Sequence, residues 1–261
     1  MNIRSHNGLF FEFTAHFLAL AAVFAALTVI FSAPSIGQTR DRTARLADSE
    51  AGAVRKPPLV IVDPGHGGAD GGAVAPDGTC EKDINLATAE TLSALFTSYG
   101  YECVMTREGD TMPSDGSSAS KKLADLRARV KMTDGRDCVF ISVHQNKFPQ
   151  AECSGTQVYY SGNDARSARL AEKIRSVCAG YLQPGNVRQT KRAGSEIYVL
   201  DRCRCPAVLV ECGFLSNPAE LEKLKTEEYR KKLAAVIFAS FTEYEAEEEE
   251  KYEEQNGLRL Q

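Results

Sequence analysis

The sequence predicts a single α/β domain whose sheet is covered by helices on both faces. Along residues 58–243, strand-like apolar runs alternate with segments of helical periodicity. Several of these runs, such as Cys138–Val143, show no polar alternation, which is typical of strands buried on both faces. The apolar fraction of 43% and the charged fraction of 25% are ordinary for a soluble globular protein. A chain of 261 residues is long enough for one full core with appendages.

Turn residues separate the elements predicted in the first half of the domain. Leu59–Val62 is the first strand, because a proline and a glycine follow shortly after it. Glu81 opens a helix whose apolar positions recur at helical spacing, and Gly100 ends it. A second strand over Tyr101–Thr106 and a second helix over Leu123–Met132 follow, with a loop rich in Gly, Asp, Ser and Pro between them.

The second half of the domain continues the alternation. Its predicted strands are Cys138–Val143, Gln157–Tyr160, Glu196–Leu200 and Ala207–Val210. Its predicted helices are Ala165–Tyr181, one that begins at Asn217 and Pro218, and Tyr229–Tyr244. Asn217 suits the capping position and Pro218 the first helical position.

The N-terminal residues 1–34 are interpreted as a signal peptide or an uncleaved signal anchor. The run Phe17–Phe31 is apolar except for Thr28, and Arg4 precedes it. The residues at 32–34, Ser-Ala-Pro, make a poor cleavage site, which favours an anchor; a buried core helix is the alternative. We therefore expect an exported, extracytoplasmic domain that is attached to the membrane through this segment.

Charge and composition set the remaining boundaries. Residues 35–57 are polar and predict a linker, residues 58–243 form the folded domain, and residues 244–261 form an acidic tail. The net charge is −4, and no cluster of Lys and Arg indicates binding to nucleic acid.

Two of the four histidines follow predicted strands of the domain. His66 follows the first strand and is flanked by glycines, and His144 follows Cys138–Val143, whereas His6 and His16 lie in the N-terminal segment. Glycines let a metal ion or a substrate approach closely, so His66 suits a metal ligand or an acid–base group. A surface or capping histidine is the alternative interpretation.

Two carboxylates fall in comparable positions. Glu211 follows Ala207–Val210, and Glu81 stands at the mouth of the first helix. If the strands are parallel, their carboxyl ends lie at one edge of the sheet. Two imidazoles and one carboxylate make the ligand set of a catalytic zinc, and the remaining carboxylate could then transfer protons. Ordinary helix-start or strand-end charges are the alternative, although an unpaired charge directly after Val-Leu-Val is costly.

Four motifs in order carry a resemblance to a known family. They are Asp-Pro-Gly-His-Gly-Gly at 63–68, Glu-Lys-Asp-Ile-Asn-Leu at 81–86, Ser-Val-His-Gln-Asn at 142–146 and Val-Glu-Cys-Gly-Phe-Leu-Ser-Asn at 210–217. Together they resemble the zinc-dependent N-acetylmuramoyl-L-alanine amidases of the amidase_3 family. The similarity covers approximately residues 58–241.

The resemblance implies a site, a fold and an activity. It implies that His66, Glu81 and His144 bind Zn²⁺ and that Glu211 is the catalytic carboxylate. It also implies a mixed, roughly six-stranded sheet with helices on both sides. The activity implied is hydrolysis of the amide bond between N-acetylmuramic acid and L-alanine in peptidoglycan by a zinc-activated water. Asp83, Asn85 and Asn146 are candidate hydrogen-bonding partners of the metal ligands.

A narrower resemblance is to the sporulation-specific CwlD group of the family, whose members are implicated in forming muramic-δ-lactam in the spore cortex. It rests on the N-terminal apolar segment, the absence of added wall-binding repeats and the form of the last motif. The resemblance leaves open whether activity requires an activating protein partner. Two alternatives are a zinc carboxypeptidase-like hydrolase of peptidoglycan stem peptides and a non-catalytic cell-wall-binding module.

Overall fold

Six strands form one mixed sheet in the part of the chain that the computed structural model describes, residues 55–114 and 120–257. The strands are β1 Leu59–Pro64, β2 Cys103–Met105, β3 Cys138–Asn146, β4 Gln157–Tyr160, β5 Lys191–Arg192 and β6 Ala207–Phe214. Their order is β2-β1-β3-β6-β4-β5. The first four strands of this order are mutually parallel, β4 is antiparallel to β6, and β5 is parallel to β4. The predicted α/β class with a mixed, six-stranded sheet is confirmed.

Helices cover both faces of this sheet. They are α1 Glu81–Ser98, α2 Lys121–Lys131, α3 Arg166–Val177, α4 Tyr198–Arg202, α5 Pro218–Lys225 and α6 Glu227–Gln255. A π-helical turn, Cys178–Leu182, continues α3. Apolar side chains of α1, α3 and α6 share one core cluster with the sheet, and those of α2 and α4 share a second cluster. The sheet is therefore the middle layer of three.

Side-chain alternation along β1 assigns the two faces. Val60 and Val62 belong to the cluster under α1, α3 and α6, whereas Leu59 and Ile61 belong to the cluster under α2 and α4. Successive side chains of a strand point to opposite faces, so Asp63 continues the Leu59–Ile61 side. The same period places the even-numbered residues of β3 and the odd-numbered residues of β6 on this second face.

One predicted element has a different secondary structure, and one strand was not predicted. Glu196–Leu200 was expected to be a strand, but residues 198–202 form the short helix α4, with Val199 and Leu200 buried in the second cluster. Short apolar runs have no periodicity that separates a strand from a buried helix. The strand that does form nearby is β5, Lys191–Arg192, whose two exposed side chains gave no apolar signal.

The glutamate-rich segment near the C-terminus lies in α6, which extends beyond the predicted end at Tyr244 to Gln255. Glu245 pairs with Arg55, and Glu248 pairs with Arg169 at 2.8 Å. Among the residues that the structure describes, no helix is long and apolar enough to cross a membrane. The predicted apolar segment Phe17–Phe31 lies outside the described residues.

Candidate metal centre and catalytic carboxylate

His66 lies on the glycine loop after β1 in a left-handed backbone conformation, with φ of 60°. Two arginines donate hydrogen bonds to the backbone of this loop. Arg129 of α2 donates to the carbonyl oxygens of Pro64 at 2.8 Å and His66 at 2.7 Å. Arg107 donates to the carbonyl oxygens of Pro64 and Gly65, both at 3.0 Å. Because a non-glycine residue at positive φ is strained, these bonds help to keep His66 in place.

Arg129 also belongs to a buried charge network beneath the loop. Its guanidinium binds Asp63 at 2.6 Å and Asp125 at 3.0 Å, and the Arg129 and Asp63 side chains are each 2% exposed. Burial opposes ionisation of Asp63, but the Arg129 charge and bonds from Ser142 and Thr106 hold its pKa below the ordinary value. A buried pair of this kind is costly to break from one side. The network therefore ties α2 to the end of β1.

Glu81, the first residue of α1, contacts both histidines. Its Oε2 lies 3.2 Å from His66 Nε2, and its Oε1 lies 2.9 Å from His144 Nδ1. The backbone amides of Ala73 and Gln145 donate to the same carboxylate at 2.8 and 3.1 Å. Burial raises the pKa of Glu81, but the bonds and charges of the two histidines outweigh it and lower the pKa well below the ordinary range. Glu81 is therefore a carboxylate at neutral pH.

These three side chains form a candidate metal-ligand cluster. One donor atom each from His66, Glu81 and His144 lies within 4.8 Å of the others. The centres of the two imidazole rings are 5.0 Å apart. Two imidazole nitrogens and a carboxylate oxygen are the donor set of many catalytic zinc sites. The residues present therefore fit a divalent metal ion.

Glu211 stands directly opposite His144 in the pairing of β6 with β3. Its Oε2 is buried and has no hydrogen-bond partner among the described residues, although the residue as a whole is partly accessible. Burial raises the pKa of Glu211 to about 7. A cation held by the neighbouring cluster would lower that pKa, because it favours the carboxylate. Because its pKa lies near 7 in the metal-free protein, Glu211 is a candidate for proton exchange.

A cavity of about 230 Å³ contains the candidate site. His144 and Glu211 line it from the sheet, and His66 lines it from the glycine loop. Lys122 of α2 and Glu196 of the segment before α4 form other parts of its wall. A larger cavity of about 750 Å³ lies elsewhere and is lined by none of the four predicted functional residues. Of these two cavities, the smaller one is lined by both histidines and by Glu211, whose Oε2 is buried, so we place the site there.

The structure thus brings together all four residues that the motifs singled out: His66, Glu81, His144 and Glu211. His144 and Glu211 lie within β3 and β6 rather than after them, because both strands are longer than predicted.

Of the three predicted partners, Asn85 donates to Glu81 Oε1 at 3.2 Å. Asp83 is exposed, and the side chain of Asn146 accepts from the amide of Lys147. Sequence reasoning missed Asp70, which lies 3.1 Å from His66 Nδ1. Its position four residues after His66 on the glycine loop was the available signal.

Comparison with known proteins agrees with this geometry. The family Amidase_3, described as N-acetylmuramoyl-L-alanine amidase, matches residues 60–243. The chain belongs to this family. Its activity is therefore that of an N-acetylmuramoyl-L-alanine amidase, a hydrolase of cell-wall peptidoglycan.

Three of the matching amidases are covered over most of their own length. A germination-specific N-acetylmuramoyl-L-alanine amidase of Bacillus subtilis is 35% identical over 190 residues, which cover 71% of this chain and 79% of the relative. The CwlD amidase from Clostridioides difficile, solved in complex with the GerS lipoprotein, is 33% identical with a TM-score of 0.69, covering 73% of this chain and 99% of that one. The catalytic domain of CwlV from Bacillus (Paenibacillus) polymyxa is 31% identical with a TM-score of 0.58, and the match covers 72% of this chain and 97% of that one.

Proposed function

We propose that this amidase hydrolyses the bond between N-acetylmuramic acid and L-alanine with Glu211 as the proton carrier and His66, Glu81 and His144 as the metal ligands. The observation that carries this proposal is the buried, unpartnered Glu211 Oε2 on the strand position opposite His144. An acceptor without a partner in the protein is available to a water molecule or to a leaving amine.

The chemistry divides between the metal and the protein. When bound by the three ligands, Zn²⁺ supplies Lewis acidity, which lowers the pKa of water and polarises an amide carbonyl. Glu211 accepts a proton from the attacking water and returns it to the nitrogen of L-alanine as the C–N bond breaks. Glu81 remains ionised, because its carboxylate oxygens are held by two histidines and by backbone amides. The products are a lactyl carboxylate on muramic acid and a stem peptide with a free amino group.

A role in spore cortex maturation, through muramic-δ-lactam formation, is the finer proposal. Its support is the similarity to a germination-specific amidase and to CwlD. Because that CwlD was solved with a lipoprotein, we also propose that a protein partner binds this chain.

The substrate and the bond are tested together by digestion of purified peptidoglycan with the full-length, zinc-loaded protein. Mass spectrometry should find free stem peptides and intact glycan, and chelation should abolish their release. Shortened stems that remain attached to glycan would indicate a carboxypeptidase instead. Binding to the wall without any cleavage would indicate a non-catalytic module. Cortex peptidoglycan should additionally yield the lactam precursor, muramic acid without its stem.

Residues 1–34 are proposed to export the domain and to anchor it outside the cytoplasm, with residues 35–57 as the linker and residues 244–261 as an acidic tail. The support is the apolar run Phe17–Phe31 behind Arg4 together with the cell-wall substrate of the family. Fractionation should find full-length protein in the membrane with its domain accessible from outside. A soluble cytosolic product would exclude this location.

A further inference from the structure

The imidazole of His66 has a carboxylate at each of its nitrogens. Glu81 Oε2 lies 3.2 Å from Nε2, on the side of the metal-ligand cluster. Asp70 Oδ2 lies 3.1 Å from Nδ1, on the opposite side of the ring. Asp70 does not belong to the cluster of three donors. Its contact with the ring therefore calls for a different explanation from that of Glu81.

The Asp70 carboxylate is held rigidly by the loop that carries His66. The backbone of Asp70 exchanges two hydrogen bonds with Gly67, at 2.9 and 3.0 Å. Its Oδ1 accepts from the amide of Gly72 at 3.1 Å, which leaves Oδ2 for His66 Nδ1. Lys122 of α2 approaches the same Oδ2 at 3.5 Å. Backbone and side chain of Asp70 are thus both tied within the turn that positions the ring.

A neutral imidazole carries one proton, and only its unprotonated nitrogen can bind a metal. A carboxylate accepts hydrogen bonds and cannot donate one, so Asp70 favours the tautomer with the proton on Nδ1. That tautomer leaves the lone pair of Nε2 facing Glu81 and the metal-ligand cluster. We propose that Asp70 is a positioning residue that fixes this tautomer and the ring orientation of His66, and thereby raises the affinity of the cluster for Zn²⁺. The inference rests on the proposed metal centre.

Asp110, an aspartate in the segment after β2 that binds the same glycine loop, offers a matched control. Asp110 Oδ1 accepts from the amide of Gly68 at 2.7 Å, and its Oδ2 binds Lys82 at 2.7 Å. Asp70 and Asp110 therefore each bind one loop amide and one lysine, but the structure places only Asp70 against the His66 ring. A purely structural role of a loop carboxylate would be shared by both residues. A role through the imidazole would belong to Asp70 alone.

The test is zinc affinity, measured by competition with a chromophoric chelator on full-length wild type, Asp70→Asn, Asp70→Ala and Asp110→Asn. Asparagine keeps an oxygen for Gly72, but its amide can donate to His66 Nδ1 and so favour the wrong tautomer. Loss of such an outer contact typically weakens metal binding about 10–100-fold. We expect that loss in both Asp70 variants and near-normal affinity in Asp110→Asn.

Two further readouts separate positioning from folding. The visible absorption of the Co²⁺-loaded protein should change in Asp70→Asn but not in Asp110→Asn, and metal-free melting temperatures should stay close to wild type. Normal zinc affinity in the Asp70 variants would overturn the inference, as would equal losses in Asp110→Asn or failure of both Asp70 variants to fold. If the wild type binds zinc and cleaves peptidoglycan and the Asp70 variants behave in the same way, only this inference is wrong. A wild type without zinc would instead sink the proposed function.

Discussion

His144→Ala and His66→Ala are each expected to lose bound zinc and peptidoglycan cleavage. Each imidazole supplies one of three donors that lie within 4.8 Å of one another, so its removal leaves only two. Replacing a residue that merely orients a ligand already costs about 10–100-fold. The loss from removing a ligand should therefore exceed about 100-fold in zinc affinity and in turnover. Metal analysis after dialysis and chelator competition measure the first, and digestion measures the second.

His6→Ala is the control for this pair, since His6 lies outside residues 60–243, which match the family. It should retain zinc and activity. Because zinc that binds only the folded state stabilises it, the melting temperature of wild type should rise with added zinc while that of the two ligand variants should not. Full zinc occupancy in both His66→Ala and His144→Ala would contradict the ligand assignment.

The local parts of the site were accessible to sequence reasoning. Pro64 and the glycines after β1 end a strand by their own backbone chemistry, and the apolar positions of the helix that starts at Glu81 recur at helical spacing from Ile84. Buried parallel strands produce continuous apolar runs, and the ends of such strands are where α/β proteins place their sites. These signals are sufficient to select His66, Glu81, His144 and Glu211 as candidates.

The non-local parts were not accessible. The pairing that sets His144 opposite Glu211 joins strands that are more than sixty residues apart, and no turn fixes their register. Arg129 binds Asp63 across 66 residues, and its sequence context is that of an ordinary solvated helix. The sequence does not predict that Arg129 and Asp63 are buried, because a charged residue is buried only when the tertiary structure supplies its counterion.

Glu211→Gln is expected to keep zinc and the fold but to lose about 10²–10⁴-fold in turnover, the usual worth of general acid–base catalysis. Glutamine is nearly isosteric with glutamate but cannot accept and return a proton at neutral pH. The measurement is amide cleavage per folded, zinc-loaded molecule. Glu220→Gln is the matched control, since Glu220 is a structural carboxylate that accepts from the amides of Phe214 and Gly155 at 2.8 and 2.9 Å. It should lose stability and keep its turnover.

The pH dependence of the stability of the metal-free protein is a second, independent test of the role of Glu211. Between the pKa of an unfolded glutamate, about 4.3, and the folded pKa of Glu211, the folded state binds more protons than the unfolded state. Because the folded pKa is raised to about 7, wild type should lose stability as pH rises through this window. The loss is on the order of 3 kcal/mol by linkage. Glutamine does not titrate, so Glu211→Gln should gain stability relative to wild type over the same range.

A structural carboxylate at this position would behave in the opposite way. Its ionised form would be stabilised by partners, and Glu211→Gln would then lose stability relative to wild type as pH rises. The buried Oε2 of Glu211 has no such partner among the described residues, which is why burial dominates its pKa. Urea unfolding of the metal-free proteins at several pH values measures the difference. Near-normal turnover of Glu211→Gln would remove Glu211 from the mechanism. If the stability of Glu211→Gln relative to wild type decreased as pH rises, Glu211 would have a structural role.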